Sequence, residues 1–251
     1  MGKEYENATT VAEFASAQSS LFQEVVRITK LGGSICWQVG YHVRNNVVTP
    51  LDYLVYECLN NFKELRFRNR IIWVFGHGLH ASRRFSGRHE VVMWFTKGEA
   101  YEFDLDAVRV PQRYPGKLHY KGPARGTPSG NPLGKNPSDV WEIPNVKGNH
   151  VEKTSHPCQF PVALARRLIT SLSKVGDLIC DPYLGSGSTA VAALSLQRNF
   201  VGAEISRRYF KIATERAKAA LKGDAVFRPE DKPIYSPPPN SPLTTRPLAW
   251  K

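Results

Sequence analysis

Two periodicities divide this chain. Phe14, Leu21, Phe22, Val25, Val26 and Ile28 recur at the three- and four-residue spacings that line one side of a helix, so residues 14–29 are expected to be helical. Leu31-Gly32-Gly33 ends that helix, and residues 34–39 read as a strand. Leu51, Leu54, Val55 and Cys58 share one face of a second helix over residues 51–59. Residues 71–75 and 90–95 are runs of the β-branched and aromatic residues that pack on a pleated surface, which predicts two more strands. Pro161 opens a helix to about Lys174, its buried stripe made by Leu164, Ala165, Leu168, Ile169 and Leu172. Proline suits that first turn because its missing N–H has no helical partner there. A last helix is expected from Ser206 to about Lys222.

Between these helices the pattern changes. Residues 177–181 form a short apolar run ending in Asp181, and Pro182, Tyr183, Leu184, Gly185, Ser186, Gly187, Ser188 and Thr189 follow. A helical stretch comes next, and a second apolar run ends in Glu204, 17 positions after Gly187. Strand, glycine turn, helix, strand and acid is the order a nucleotide-like cofactor needs. Glycine lets the backbone turn sharply and approach a ligand that a Cβ would push away, and the following helix presents its positive end there. A carboxylate at the end of the second strand can accept the hydroxyls of a ribose. A plain strand-turn-helix with a capping Asp would explain only the first half of the pattern.

At 251 residues and 41% hydrophobic, the chain can bury one substantial core. One domain is expected over residues 1–223. Within it, residues 105–150 form a Pro/Gly-rich basic insert: from 111 to 150 there are seven prolines, six glycines and six Lys or Arg against Asp139 and Glu142 alone. Residues 224–251 carry seven prolines and read as a disordered tail. A net charge of +12 suits a polyanionic partner, since each cation that neutralises a phosphate releases a counterion. Cys36, Cys58, Cys158 and Cys180 show no C-x-x-C spacing and read as reduced core thiols of a cytoplasmic protein. No run approaches the length of a membrane helix, so no membrane partner is expected. His89 and Glu90 are adjacent on a strand and would point to opposite faces, so no metal site is expected.

Arg66, Arg68, Arg70, Arg83, Arg84 and Arg88 cluster around two strands beside Trp73, Phe75 and Phe85 and histidines 77, 80 and 89. Cations interleaved with aromatics suggest a DNA-contacting rim. Residues 109–138 are the candidate for target recognition.

The glycine turn departs from the pyrophosphate pattern, because Ala190 stands where a third glycine would fall. It resembles instead the S-adenosylmethionine loop of the β-ordered DNA amino-methyltransferases, which methylate N4 of cytosine or N6 of adenine. That resemblance implies a Rossmann-like α/β fold with a mixed, mostly parallel sheet and helices on both faces. It implies S-adenosylmethionine as cofactor, with the loop role on Asp181, Tyr183, Gly185, Ser186 and Gly187 and the ribose role on Glu204. Thr154, His156 and Pro157, just before the 161–174 helix, are further cofactor candidates by the same resemblance. Residues 2–6, 31–37, 68–73, 84–97, 139–144 and 156–169 also resemble the family, so the match spans about residues 2–222.

The family's catalytic loop, a polar residue followed by Pro-Pro-Tyr or Pro-Pro-Phe, is not found where the family places it, before a segment like residues 2–6. The expectation is that Met1 falls inside a longer ancestor. Ser236, Pro237, Pro238, Pro239 and Asn240 come nearest, with proline in the aromatic position, and read as a polyproline segment. No catalytic residue is therefore assigned. The function expected is site-specific methylation of double-stranded DNA, with a cognate restriction endonuclease as the partner such enzymes serve and the oligomeric state open. The alternatives are a truncated, inactive relative that binds cofactor or DNA, and a methyltransferase of RNA or protein.

Overall fold

The computed structural model describes residues 10–76, 78 and 80–247. The segment at residues 2–6 and His77 lie outside these. Helix α1 (Val11–Ile28) begins at a capping box, in which the Thr10 hydroxyl accepts from the Glu13 N–H (3.2 Å) and the Glu13 carboxylate accepts from the Thr10 N–H (2.6 Å). Strand β1 (Ser34–Val39) follows, then β2 (Tyr41–Arg44), β3 (Val47–Pro50), α2 (Leu51–Asn60), β4 (Leu65–Val74) and β5 (His89–Lys97). After a short strand β6 (Val140–Glu142) come α3 (Val162–Leu172), β7 (Leu178–Asp181), α4 (Ser188–Ser195), β8 (Asn199–Gly202) and α5 (Arg207–Lys222).

Four strands make one sheet in the order β1-β5-β4-β6, and β7 and β8 pair in parallel beside it. Because successive side chains of a strand point to opposite faces, β5 is buried on both. Val91, Met93 and Phe95 face Phe22 and Val26 of α1 and Val55 and Leu59 of α2, while Val92 and Trp94 share the opposite face with Leu164 of α3. The expected α/β fold with a mixed sheet between helices is present.

Three details differ from expectation. Parallel pairing takes the smaller share, β4 with β6 and β7 with β8, while β1–β5, β4–β5 and β2–β3 are antiparallel. The chain returns from β4 to β5 at the same sheet edge without a helical crossover, and such a return can only pair antiparallel. Helices on both faces hold for the larger sheet alone. In the β7–β8 pair Ile179 and Phe200 pack towards α3 and α4, whereas Leu178, Cys180 and Val201 are exposed. Two of the four expected core thiols are exposed, Cys180 on that open face and Cys158 on the loop before α3, while burial pushes the Cys36 thiol up to about 12.

The expected insert and tail also shift. Trp141 and Ile143 are buried and β6 extends the main sheet, so the 105–150 region rejoins the core before its end. Its remainder is turn-rich and crossed by bridges from Val110 to Lys135 and Leu118 to Pro128. The tail does not leave the body at 224. Phe227 packs on the α3–α4 cluster, the Arg228 N–H donates to buried Glu152 (3.1 Å), and Glu230 pairs with Arg166 (2.8 Å).

The hairpin β2–β3 turns through Asn45 and Asn46, both left-handed at φ 51° and 63°, the geometry that suits a two-residue hairpin turn.

Strand direction places the site. β1, β4 and β6 point the same way. β7 joins them: Lys30, before β1, pairs with Asp177 (2.7 Å), before β7, and Trp37, late in β1, meets Tyr183, just after β7, at 5.8 Å between ring centroids. The glycine turn, the β2–β3 hairpin, the 75–88 connection and the residues after β6 therefore leave one common edge.

Candidate functional site

At the end of β7, Asp181 organises the turn. Its carboxylate accepts from the Tyr183 N–H (2.9 Å) and from the Thr189 hydroxyl (2.6 Å), tying the start of the turn to the first turn of α4. Burial pushes this carboxyl above the ordinary Asp value, the Thr189 and Tyr183 hydrogen bonds pull it back, and the charge of Glu204 adds to the rise. Gly185 and Gly187 both have left-handed backbone, φ 53° and 82°. A Cβ on Gly187 would lie 2.9 Å from both Cα and Cβ of Ala213, so glycine is what allows α4 to start against α5. A Cβ on Gly185 would stand 3.1 Å from His156 Nε2.

Glu204 closes the turn from the other strand. One carboxylate oxygen accepts from the Gly185 N–H (2.9 Å) and the other from the Ser206 N–H (2.8 Å). Each oxygen keeps a further lone pair for a ligand hydroxyl. Ser186 and Ser188 are buried under the turn, where Arg216 of α5 donates to the Ser186 carbonyl (2.7 Å) and the Ser188 hydroxyl donates to the Phe160 carbonyl (2.8 Å).

The 154–157 segment reaches the same place. The His156 ring meets Tyr209 edge-on (4.5 Å between centroids), and the His156 backbone N–H donates to the Thr154 hydroxyl (3.1 Å). Its Nδ1 accepts from the Cys158 N–H (3.2 Å) across Pro157, which directs Nε2 at the glycine turn. Tyr183, 58% exposed, receives a hydrogen bond on its hydroxyl from Gln18 Nε2 (3.1 Å) and leans on Trp37. Gln18 Oε1 is buried with no hydrogen-bond partner among the described residues. An acceptor left open beside a half-exposed aromatic and a glycine cradle is what a polar, nucleoside-like ligand would fill.

The structure thus brings Asp181, Tyr183, Gly185, Ser186, Gly187, Glu204 and His156 together at one turn, while Thr154 and Pro157 flank His156, Thr154 bonding Gln159 and the His156 backbone. Sequence reasoning missed Gln18, Trp37 and Arg216. No motif marks them, since they come from α1, β1 and α5 and meet the turn only through folding.

The arginines divide. Arg66 and Arg68 lie at the far end of β4, paired with Glu99 at 2.7 and 2.9 Å, and Arg68 also lies 4.4 Å over the Tyr101 ring. Arg70 pairs with buried Asp52 (2.6 Å). All three pair with intramolecular carboxylates, but only Arg66 and Arg68 lie at the sheet end opposite the glycine turn, whereas Arg70 lines a pocket together with Arg84 and Phe85. Arg83, Arg84 and Arg88 stand on the 75–88 connection, at the edge the turn shares.

A glycine turn between parallel strands, fastened by the carboxylate after the second strand, defines a nucleotide-type cofactor site in a Rossmann-like α/β protein. The family is equally definite. The N6_N4_Mtase model, DNA methylase, matches residues 1–215, and the chain belongs to that family. It is 46% identical over 205 residues to the type II methyltransferase M.BglII of Bacillus subtilis, an alignment covering 80% of this chain and 56% of that protein. It is 37% identical over 227 residues to M.ScaI of Streptomyces caespitosus, covering 87% and 72%. The chain therefore spans little more than half of M.BglII. Among solved structures, the cytosine-N4-specific PvuII DNA methyltransferase matches with a TM-score of 0.60 at 17% identity, covering 89% of this chain and 82% of that one. The TTHA0409 protein of Thermus thermophilus, complexed with S-adenosyl-L-methionine, matches with a TM-score of 0.59 at 23% identity, covering 87% and 84%. At these identities the likeness carries the fold. Among the described residues no helix is long and apolar enough to cross a membrane.

Proposed function

We propose that the chain holds S-adenosylmethionine at the 181–188 turn and works in site-specific methylation of duplex DNA at N6 of adenine or N4 of cytosine. The observation that carries this reading is the fastening of the Gly185 N–H by Glu204, which sets a ribose-competent carboxylate against a turn whose Gly187 has no room for a Cβ. When bound, the cofactor supplies an electrophilic methyl group.

The chain's own residues bind and orient. The glycine turn and His156 would hold the amino-acid end, Glu204 would accept the ribose hydroxyls, and Tyr183 and Trp37 would offer ring surface. Arg83, Arg84 and Arg88 would meet phosphates from the same edge, so cofactor and DNA would approach one another there. An exocyclic amine is stacked and paired in a duplex, and methylation requires the target base to be turned out. A cognate endonuclease fits the type II relatives named above, and a cytoplasmic setting fits a DNA substrate.

The test is calorimetric titration of S-adenosylmethionine into the chain and into Glu204→Gln, with tritium transfer to unmethylated plasmid measured alongside. Glutamine keeps one acceptor and turns an N–H2 against a backbone N–H. Losing a charge-assisted bond of about 1.5–3 kcal/mol predicts a Kd raised about tenfold to a hundredfold. Equal Kd values for the two proteins would refute the assignment of Glu204, and no cofactor binding by the unaltered chain would refute the reading as a whole.

A further inference from the structure

Phe85 is 99% exposed, a large apolar ring that the fold leaves in water. It stands between Arg84 and Ser86 at the tip of the connection from β4 to β5, with Arg83 one residue further back. The connection is tied at its base. The Phe75 N–H donates to the Arg88 carbonyl (2.9 Å), continuing the β4–β5 ladder, and the Ala81 N–H donates to the Ser86 hydroxyl (3.0 Å). The Tyr41 ring end lies against Gly87 where a Cβ would stand, and the Arg84 guanidinium lies 5.8 Å over the same ring. The hairpin β2–β3 thereby props the tip from below. Beside it opens a pocket of about 280 Å³, lined by Tyr41, Arg84, Phe85, His89 and Glu90 among others. All of this lies at the sheet edge that carries the glycine turn.

We infer that Phe85 is a wedge that inserts into the base stack of duplex DNA while Arg83 and Arg84 contact the flanking phosphates. The inference rests on the DNA reading above. A single ring flanked by two cations fits a partner that offers π-faces and backbone anions together, and apolar wedges that open a base step are a general means of unstacking a duplex. A base displaced by the ring would find room in the adjoining pocket.

The experiment compares binding of the full chain to a short fluorescent duplex and to the same duplex with one abasic site at its centre, by anisotropy over a salt series. A wedge finds the stack already open at the abasic site, so the unaltered chain should prefer that duplex by about fivefold to tenfold. Phe85→Ala should reduce the preference below about twofold, and Phe85→Trp should keep it. The Arg83→Ala, Arg84→Ala double variant should weaken both duplexes alike and lower the salt slope by about 2. Thermal unfolding should not distinguish Phe85→Ala from the unaltered chain, as its exposure requires. An unaltered chain with no abasic preference, or a Phe85→Ala variant that retains it, overturns the wedge while the DNA reading stands. An unaltered chain that binds neither duplex overturns the DNA reading, and the wedge with it.

Discussion

Substituting Gly187 by Ala tests the packing that shapes the turn. The position combines two penalties. Its φ of 82° is left-handed, which for an L-residue costs about 1–2 kcal/mol. Its new Cβ would meet the Cα and Cβ of Ala213 at 2.9 Å, one of them backbone that cannot swing away, and overpacking of this kind costs about 1–3 kcal/mol. Gly176 separates the two, because it has the same φ of 82° with nothing within 4 Å of its Cβ position. Gly176→Ala should therefore lose only the conformational part, and Gly187→Ala should exceed it by about 1–3 kcal/mol. At roughly 2–4 °C per kcal/mol for a chain of this size, the melting temperature of Gly187→Ala should fall roughly 2–12 °C below that of Gly176→Ala. Differential scanning calorimetry reads this directly. Ala213→Gly in the Gly187→Ala background should restore part of the loss, since it removes one contact and leaves the Cα. Equal melting temperatures for the two alanine variants would refute the argument that α5 dictates glycine at the start of α4.

Two further outcomes follow from the ionisable groups. Burial raises the Asp181 carboxyl, so the stability it lends is present below the unfolded Asp value of about 3.9 and is lost as pH rises through the higher folded value. Asp181→Asn, which can still accept from Tyr183 and donate to Thr189, should raise the melting temperature at pH 7 and lose that gain towards pH 4. A variant less stable than the unaltered chain at pH 7 would sink the reasoning. With the Cys36 thiol at about 12 and Cys158 exposed, iodoacetamide at pH 8 followed by peptide mass spectrometry should label Cys158 well before Cys36, and the reverse order would contradict the packing.

How far the site could be read beforehand depended on distance along the chain. Asp181, Gly185, Gly187 and Glu204 lie within two strands and one helix, and their spacing already implied a turn and a ribose-competent acid. Thr154, His156 and Pro157 came from family resemblance, and folding places His156 against Gly185. The arginines show the opposite case. Six neighbours in sequence looked like one rim, yet a strand of ten residues carries its two ends to opposite edges of the sheet, so Arg66 and Arg68 pair with Glu99 at the far end while Arg70 stays beside Arg84.

By itself the sequence determined the helices, the long strands and the cofactor turn, because these arise from local periodicity and from backbone angles that only glycine adopts readily. Tertiary structure alone decided the short hairpin and β6, the docking of residues 225–230, the exposed side of β7–β8 and the company of Gln18, Trp37 and Arg216. The physical reason is that a strand of three or four residues has too little pattern to read. Likewise, a side chain's partner across the core is fixed by how sheets and helices pack, a relation that no stretch of neighbouring residues encodes.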